Sequence, residues 1–253
     1  MNAKTERKRL DVLLVERGLA ESSHKAQAMI LAGEVEVEQQ RADKAGLILP
    51  ETAHIEVHSR QQKYASRGGL KLEGALADFQ VSAEGKTCLD IGASTGGFTD
   101  CLLQSGAVRV YAVDVNTDQL AWKIRGDSRV ARIEKNAREL QAKDLPELVD
   151  LVVADVSFIS VAKILAGAAA CAKPGADLLI LVKPQFELER EEVGRGGIVR
   201  DKTLHEKAIA GVRRAMESLG LNVLGLAASH LPGAEGNQEY FLHARKAAGV
   251  ESR

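Results

Sequence analysis

At 253 residues, with 45% apolar and 27% charged side chains, the chain is long enough for one large or two unequal domains and has a globular balance. A formal net charge of -1 excludes a uniformly basic nucleic-acid coat, so any RNA surface must be a local patch, and 4% aromatic residues exclude extensive base stacking. No apolar run reaches the roughly 20 residues of a transmembrane helix, and the basic start MNAKTERKRLDVLLVERG lacks a signal-peptide core.

In chain order, Leu10, Leu13 and Leu14, with Val12, give a helical apolar face that stops near Gly18. Ser22 or Ser23 caps a second helix, in which Ala26, Met29 and Ile30 share a face ahead of Gly33. Val35 and Val37 alternate with Glu34, Glu36 and Glu38 as a half-buried strand, and Ile55 and Val57 repeat the pattern. So few large side chains in residues 1–59 predict a marginal module, better suited to binding than to chemistry. Residues 60–70 turn polar and basic, with Arg60, Lys63 and Arg67 beside Gly68 and Gly69, and read as a linker. Its charges either contact RNA or simply solvate a connector.

Leu70, Leu72, Leu76 and Phe79 begin a further helix, and from Lys86 strands and helices alternate. Strand candidates are Thr87 to Ile91, Arg109 to Val113, Arg129 to Ile133, Leu151 to Ala154, Leu178 to Val182, Leu221 to Ala227 and Glu239 to His243. Helical stretches are Gly97 to Leu103, Leu120 to Ile124, Ser160 to Cys171 and Leu204 to Leu219. The runs LLILV and LVVA lack polar alternation, as expected of strands covered on both faces. Residues 71–253 therefore read as an α/β, Rossmann-like open sheet, mostly parallel, with ligands at the carboxyl ends of its strands. Cys88, Cys101 and Cys171 show neither metal-ligand spacing nor a disulfide framework, which suits a reducing, cytoplasmic compartment.

The sharpest local signal is CLDIGASTGGFTD. A buried strand ends at Asp90 and Ile91, and Gly92, Gly96 and Gly97 allow close backbone approach to a ligand before a helix starts. The spacing is not G-x-G-x-x-G, so the dinucleotide fingerprint is absent. Asp90 would repel a pyrophosphate and favours a cationic amino-acid moiety, as in S-adenosylmethionine. Ser94, Thr95 and Phe98 complete the candidate cofactor loop. Asp114, at the next strand end, can accept hydrogen bonds from both ribose hydroxyls, or else serve as a turn or helix cap. Glu134 and Asn136 are candidates for the adenine end, with a plain surface loop as the alternative.

Taken in order, SRGGLKLEGAL, DIGASTGGFTD, YAVDVNTDQLAWKIR, VADVSFIS, LVKPQFE and GNQEYF resemble the bacterial TlyA, or haemolysin A, family. The resemblance implies a ribosomal RNA 2'-O-methyltransferase with an FtsJ-like catalytic domain, acting on cytidine in 16S or 23S RNA or both. It also implies that residues 1–59 form the RNA-binding module first described in ribosomal protein S4. There VEQQ, at Val37 to Gln40, replaces the family's valine-asparagine-glycine turn, and Ser23 occupies a commonly basic position.

The family's Lys-Asp-Lys-Glu set maps onto Lys71, Asp155, Lys183 and Glu239. A ribose hydroxyl becomes a competent nucleophile when its proton is accepted and the developing charge on oxygen is stabilised. The methyl donor already carries an activated sulfonium, so a metal is not required. Lys183 is the candidate at the nucleophilic oxygen, either as a neutral base or as a protonated group that orients the hydroxyl. Asp155 would position Lys183 or receive the proton, Lys71 would place positive charge beside substrate, and Glu239 would orient one of the lysines. Read from the residues alone, Lys183 could also be a charge snorkelling from a strand end, and Asp155 a helix cap.

Arg7, Lys8, Arg9 and Lys25 are candidate RNA contacts in the first module. Arg60, Lys63 and Arg67 extend them through the linker. Arg195 and Arg200 add phosphate contacts from the charged, glycine-rich stretch 187–202, read as a mobile loop over the RNA site or as a solvated excursion. Two other classes compete: a non-catalytic RNA-binding or ribosome-assembly protein on the same fold, and a haemolysin-like membrane-active protein.

Overall fold

Contacts divide the chain after Gln62, into a small amino-terminal unit and a larger one from Lys63 onward. The computed structural model describes residues 7–57, 63–233 and 236–248.

In the small unit, β1 (Arg7–Arg9) leads into α1 (Leu10–Glu16) and α2 (Ser23–Leu31), followed by β2 (Val35–Val37), β3 (Gln40–Arg41), β4 (Ile48–Pro50) and β5 (Ile55–Val57). Ser22 Oγ accepts from Lys25 N at 3.2 Å, so the α2 amino terminus is capped. Leu10, Leu14, Ala26, Ile30 and Val35 form the centre of the core. Strand β2 lies between β3 and β5, antiparallel to both, and β1 pairs with β4. The β2–β3 turn places Glu38 at φ 49° and Gln39 at φ 65°. Both angles are left-handed, where Asn-Gly is the favoured pair, and VEQQ supplies neither residue.

The larger unit runs α3 (Gly68–Asp78), β6 (Thr87–Ile91), α4 (Gly97–Gln104), β7 (Arg109–Asp114), α5 (Trp122–Arg125), β8 (Val130–Glu134), β9 (Val149–Ala154), α6 (Leu165–Cys171), β10 (Ala172–Val182), α7 (Pro184–Glu187), α8 (Lys202–Ser218), β11 (Leu221–Ala228) and β12 (Tyr240–Lys246). One seven-stranded sheet has the order β11-β12-β10-β9-β6-β7-β8. From β10 to β8 neighbours are parallel, whereas β12 runs antiparallel to β10 and β11. Alternate strand residues feed two core layers: Leu89, Val152 and Ile180 enter one, Cys88, Leu151 and Leu179 the other. Each such Leu, Val or Ile contributes about 1.5–3 kcal/mol on burial. This explains the unbroken apolar runs of the inner strands.

Two expectations are corrected. Residues 63–70 are not a linker: Tyr64 is buried, Ala65 N donates to Asp100 Oδ2 at 2.7 Å, and Gly68 opens α3. The stretch from Ser160 to Cys171 is not one helix but a 3-10 turn, Val161–Ile164, followed by α6.

Candidate active site

The carboxyl ends of β6, β9 and β10 deliver Gly92, Asp155 and Lys183 to one edge of the sheet. Because β12 is antiparallel, its beginning lies at that same edge, with Tyr240 opposite Val182. Glu239 therefore sits where a parallel strand would have carried it to the far end. Lys71 comes from the first turn of α3.

These residues form two ion pairs. Lys71 Nζ donates to Glu239 Oε2 at 2.5 Å, and both residues are buried, at 8% and 2% exposure. Lys183 Nζ lies 2.5 Å from Asp155 Oδ1 and donates to Ser157 Oγ at 2.8 Å. The Lys183–Asp155 contact is a close charge pair without hydrogen-bond alignment, so Asp155 Oδ1 has no hydrogen-bond partner among the described residues. Glu239 thus orients Lys71, and Asp155 orients Lys183. Ser157, which the sequence did not single out, is the second anchor of Lys183.

Lys71 and Lys183 line a cavity of about 230 Å³ with Ser66, Gly68, Thr95 and Phe98. A second cavity, about 520 Å³, is lined by Asp114, Val115, Asn136, Arg138 and Phe158. Gly92, Ser94, Asp155 and Ser157 line both, so the two are lobes of one cleft joined at the lysine–aspartate pair. Gly92 has φ 85°, and a Cβ there would lie 2.4 Å from the Asp155 carbonyl oxygen. Only glycine lets the loop pass that close to the carboxyl end of β9.

The larger lobe fits an adenosyl cofactor. Asp114 closes its strand end while accepting from Ser94 N at 2.9 Å and Asn116 N at 3.2 Å, which fixes the carboxylate and leaves lone pairs for ribose hydroxyls. Asp90 lies fully buried beneath the loop rather than in the cleft wall. Its Oδ2 accepts from Thr99 Oγ1 at 2.6 Å, while Oδ1 has no partner among the described residues. Burial pushes the Asp90 carboxyl up to about 7 against the opposing Thr99 hydrogen bond, and the Asp155 charge adds to the rise. The expectation that Asp90 meets the ligand's cationic end is therefore corrected: its side chain lines neither lobe, and burial favours its neutral form.

The remaining candidates divide. Ser94, Thr95, Gly97 and Phe98 line the smaller lobe, and Gly96 instead packs under the loop against Leu120 and Ile124. Asn136 reaches the larger lobe, but Glu134 borders only a shallow side depression, because the β8 end turns its side chain outward. Several basic candidates are engaged locally: Lys8 with Glu16 and Glu51, Arg9 with Asp11, and Lys63 with Glu73. Arg7 donates to Ile48 O at 3.2 Å, Arg67 lines the smaller lobe, and Lys25 and Arg200 are exposed. Arg60 and the Arg195 side chain lie outside the described residues.

Residues 64–246 match the FtsJ-like methyltransferases, and residues 8–55 match the S4 domain. The 16S/23S rRNA (cytidine-2'-O)-methyltransferase TlyA of Mycobacterium tuberculosis is 45% identical over 241 residues, covering 94% of this chain and 90% of that protein. A solved structure from Streptococcus thermophilus, described as a candidate hemolysin, is 41% identical, with a TM-score of 0.73 over 98% of this chain and 93% of the other. An S-adenosylmethionine-dependent methyltransferase from Mesorhizobium loti, 15% identical, shares the sheet architecture at a TM-score of 0.53 over 70% of this chain and 98% of its own. With its cleft, its ordered pairs and these matches, the chain belongs to the FtsJ-like, S-adenosylmethionine-dependent methyltransferases that carry an amino-terminal S4 domain, the TlyA family.

Proposed function

We propose that this protein methylates the ribose 2'-hydroxyl of cytidine in ribosomal RNA, on 16S or 23S RNA or both. The observation that carries the reading is the placement of Lys71 and Lys183, each held by its own carboxylate, in the lobe that adjoins the cofactor lobe. The name of the Mycobacterium tuberculosis relative supports the choice of nucleoside.

When bound, S-adenosylmethionine supplies a methyl group on an electron-poor sulfonium. The protein's share is placement and charge. Lys183, held by the Asp155 charge and the Ser157 hydroxyl, presents its ammonium to the substrate oxygen and stabilises the charge that develops there. The hydroxyl proton has two acceptors within this pair: the Lys183 amine in its neutral form, or the Asp155 carboxylate, which lines the same lobe. Lys71, held by Glu239, adds a second ammonium to the same lobe without leaving a buried carboxylate unpaired. Holding oxygen and methyl carbon in line is the larger part of the work, since effective molarities for oriented reactants are large.

The S4 unit supplies affinity for RNA, which makes ribosomal RNA or a ribosomal subunit the macromolecular partner and the cytoplasm the place of action. No helix of the described residues is long and apolar enough to cross a membrane. The test is transfer of labelled methyl from S-adenosylmethionine to ribosomal subunits from cells lacking the gene, followed by mapping of 2'-O-methyl positions. Label at a cytidine ribose is the expected result. Label on a base, or none on either subunit, would overturn the reading.

A further inference from the structure

We propose that Glu187 is a positioning residue for methyl transfer: it fastens the far end of the 156–160 loop, and through Ser157 on that loop it sets the direction of the Lys183 ammonium. The inference rests on the methyl-transfer reading above.

Glu187 lines neither lobe of the cleft and so touches no reacting atom. It closes α7, the turn whose first residue follows Lys183. Its Oε2 accepts from Ser160 Oγ at 2.6 Å, and its Oε1 accepts from Val161 N at 2.7 Å. At the other end of the same two segments, Lys183 meets Asp155 and Ser157. Between these ends the rings of Phe158 and Phe186 lie 5.5 Å apart, tilted by 49°. The segments 155–161 and 183–187 are thus sewn together at both ends.

The stitching holds a loop that would not hold itself. Phe158 has φ 65°, a left-handed conformation costly for a bulky side chain, and is 88% exposed. Such a conformation persists where the surroundings over-determine it. A ring this exposed gains little beyond its contact with Phe186, so the flanking anchors carry most of the restraint. The carboxylate is the suitable group for the outer anchor, since it offers two acceptor oxygens to two donors, one hydroxyl and one backbone N–H. A glutamine keeps one carbonyl oxygen for Val161 N, but it loses the charge and meets Ser160 only if that hydroxyl turns to accept the amide N–H.

The experiment uses the full chain and the variants Glu187→Gln, Glu187→Ala, Ser157→Ala and the double Glu187→Gln/Ser157→Ala. Two quantities are read: S-adenosylmethionine affinity by calorimetry, and the single-turnover rate of methyl transfer to ribosomal RNA at saturating cofactor and RNA. Because the loop walls both lobes, Glu187→Gln should lower the rate by about 10-fold, the scale of a lost hydrogen bond to a charged group, and Glu187→Ala should lower both rate and affinity. In the double variant the rate should fall little further than in Ser157→Ala alone, because the two residues act along one path. A structural role alone would lower the melting temperature of Glu187→Gln but leave its saturated rate unchanged. Wild-type rate and affinity in folded Glu187→Gln would overturn the proposal, as would rate losses that simply multiply in the double variant. If the wild-type protein transfers no methyl to ribosomal RNA, the functional reading fails. Calorimetry on Glu187→Ala then decides the positioning claim, with unchanged cofactor affinity overturning it.

Discussion

Lys183 follows a strand that is buried over its last residues, yet its ammonium is caught between Asp155 and Ser157 instead of reaching for water. A group so placed acts most strongly as negative charge builds on the substrate oxygen, and its loss should appear in the chemical step. Lys183→Ala should lower the single-turnover rate about 100-fold or more with little change in cofactor affinity. Lys183→Arg should rescue poorly, because a guanidinium has another shape and does not serve as a neutral base. A folded Lys183→Ala enzyme with a near-normal rate would remove Lys183 from the chemistry. Asp90 offers a thermodynamic test. Burial first, with the Asp155 charge adding to it, raises its carboxyl from 3.8 to about 7. Its contribution to stability is therefore fully present below the unfolded value and is lost as pH rises through the folded one. Without cofactor, the melting temperature of the wild type relative to Asp90→Asn should fall between about pH 4 and pH 7, the interval set by those two values. Parallel melting curves across that interval would show that Asp90 ionises as it does in water.

Two tight turns carry opposite lessons at the scale of elements. Between β6 and α4 the chain uses glycine where it must, since a methyl group at Gly92 would collide with the Asp155 backbone 2.4 Å away. Gly92→Ala should destabilise the fold by about 1–3 kcal/mol through the strained φ alone, and should also displace Asp155 and weaken both cofactor binding and transfer. Chemical denaturation and calorimetry would read these together. A stable Gly92→Ala protein with normal cofactor affinity would show that the loop has room to spare. Between β2 and β3 the chain uses Glu38 and Gln39 at left-handed angles without glycine's freedom. Replacing them together with Asn-Gly should stabilise the small unit by about 1 kcal/mol or more, given the cost of left-handed backbone in L-residues. Hydrogen exchange of the β2 and β5 amides would report the gain, and unchanged protection would place the strain elsewhere.

For the molecule as a whole, the division after Gln62 separates the S4 match from the FtsJ-like methyltransferase match. Every residue of the two ion pairs and both lobes of the cleft belongs to the unit beginning at Lys63. Removing residues 1–62 should leave a folded protein that binds S-adenosylmethionine normally but methylates ribosomal RNA poorly at low RNA concentration. Saturating RNA should restore much of the rate. Full activity at low RNA concentration would make the S4 unit dispensable for recognition. In that unit Lys8 pairs with Glu16 and Glu51, and Arg9 with Asp11.

The order of strands and helices and the loop at Gly92 could be read along the chain, because burial on both faces writes continuous apolar runs and a close turn writes glycine. The candidate set Lys71, Asp155, Lys183 and Glu239 came from the family resemblance; by their own residues Lys71 and Glu239 read as surface charges. Their partnership could not be read along the chain. Lys71 meets Glu239 across 168 positions, a contact that depends on β12 running against its neighbours, and no local period encodes strand direction. Tyr64 to Leu70 reads as a basic connector until Asp100 and α4 are there to pack against it. Glu134 has the composition of a cleft residue but faces a side depression, and Ser157 and Glu187 have the composition of surface residues but hold the cleft together. Periodicity records how buried a residue is. Which distant side chain it meets is decided when register and strand direction bring the two segments together.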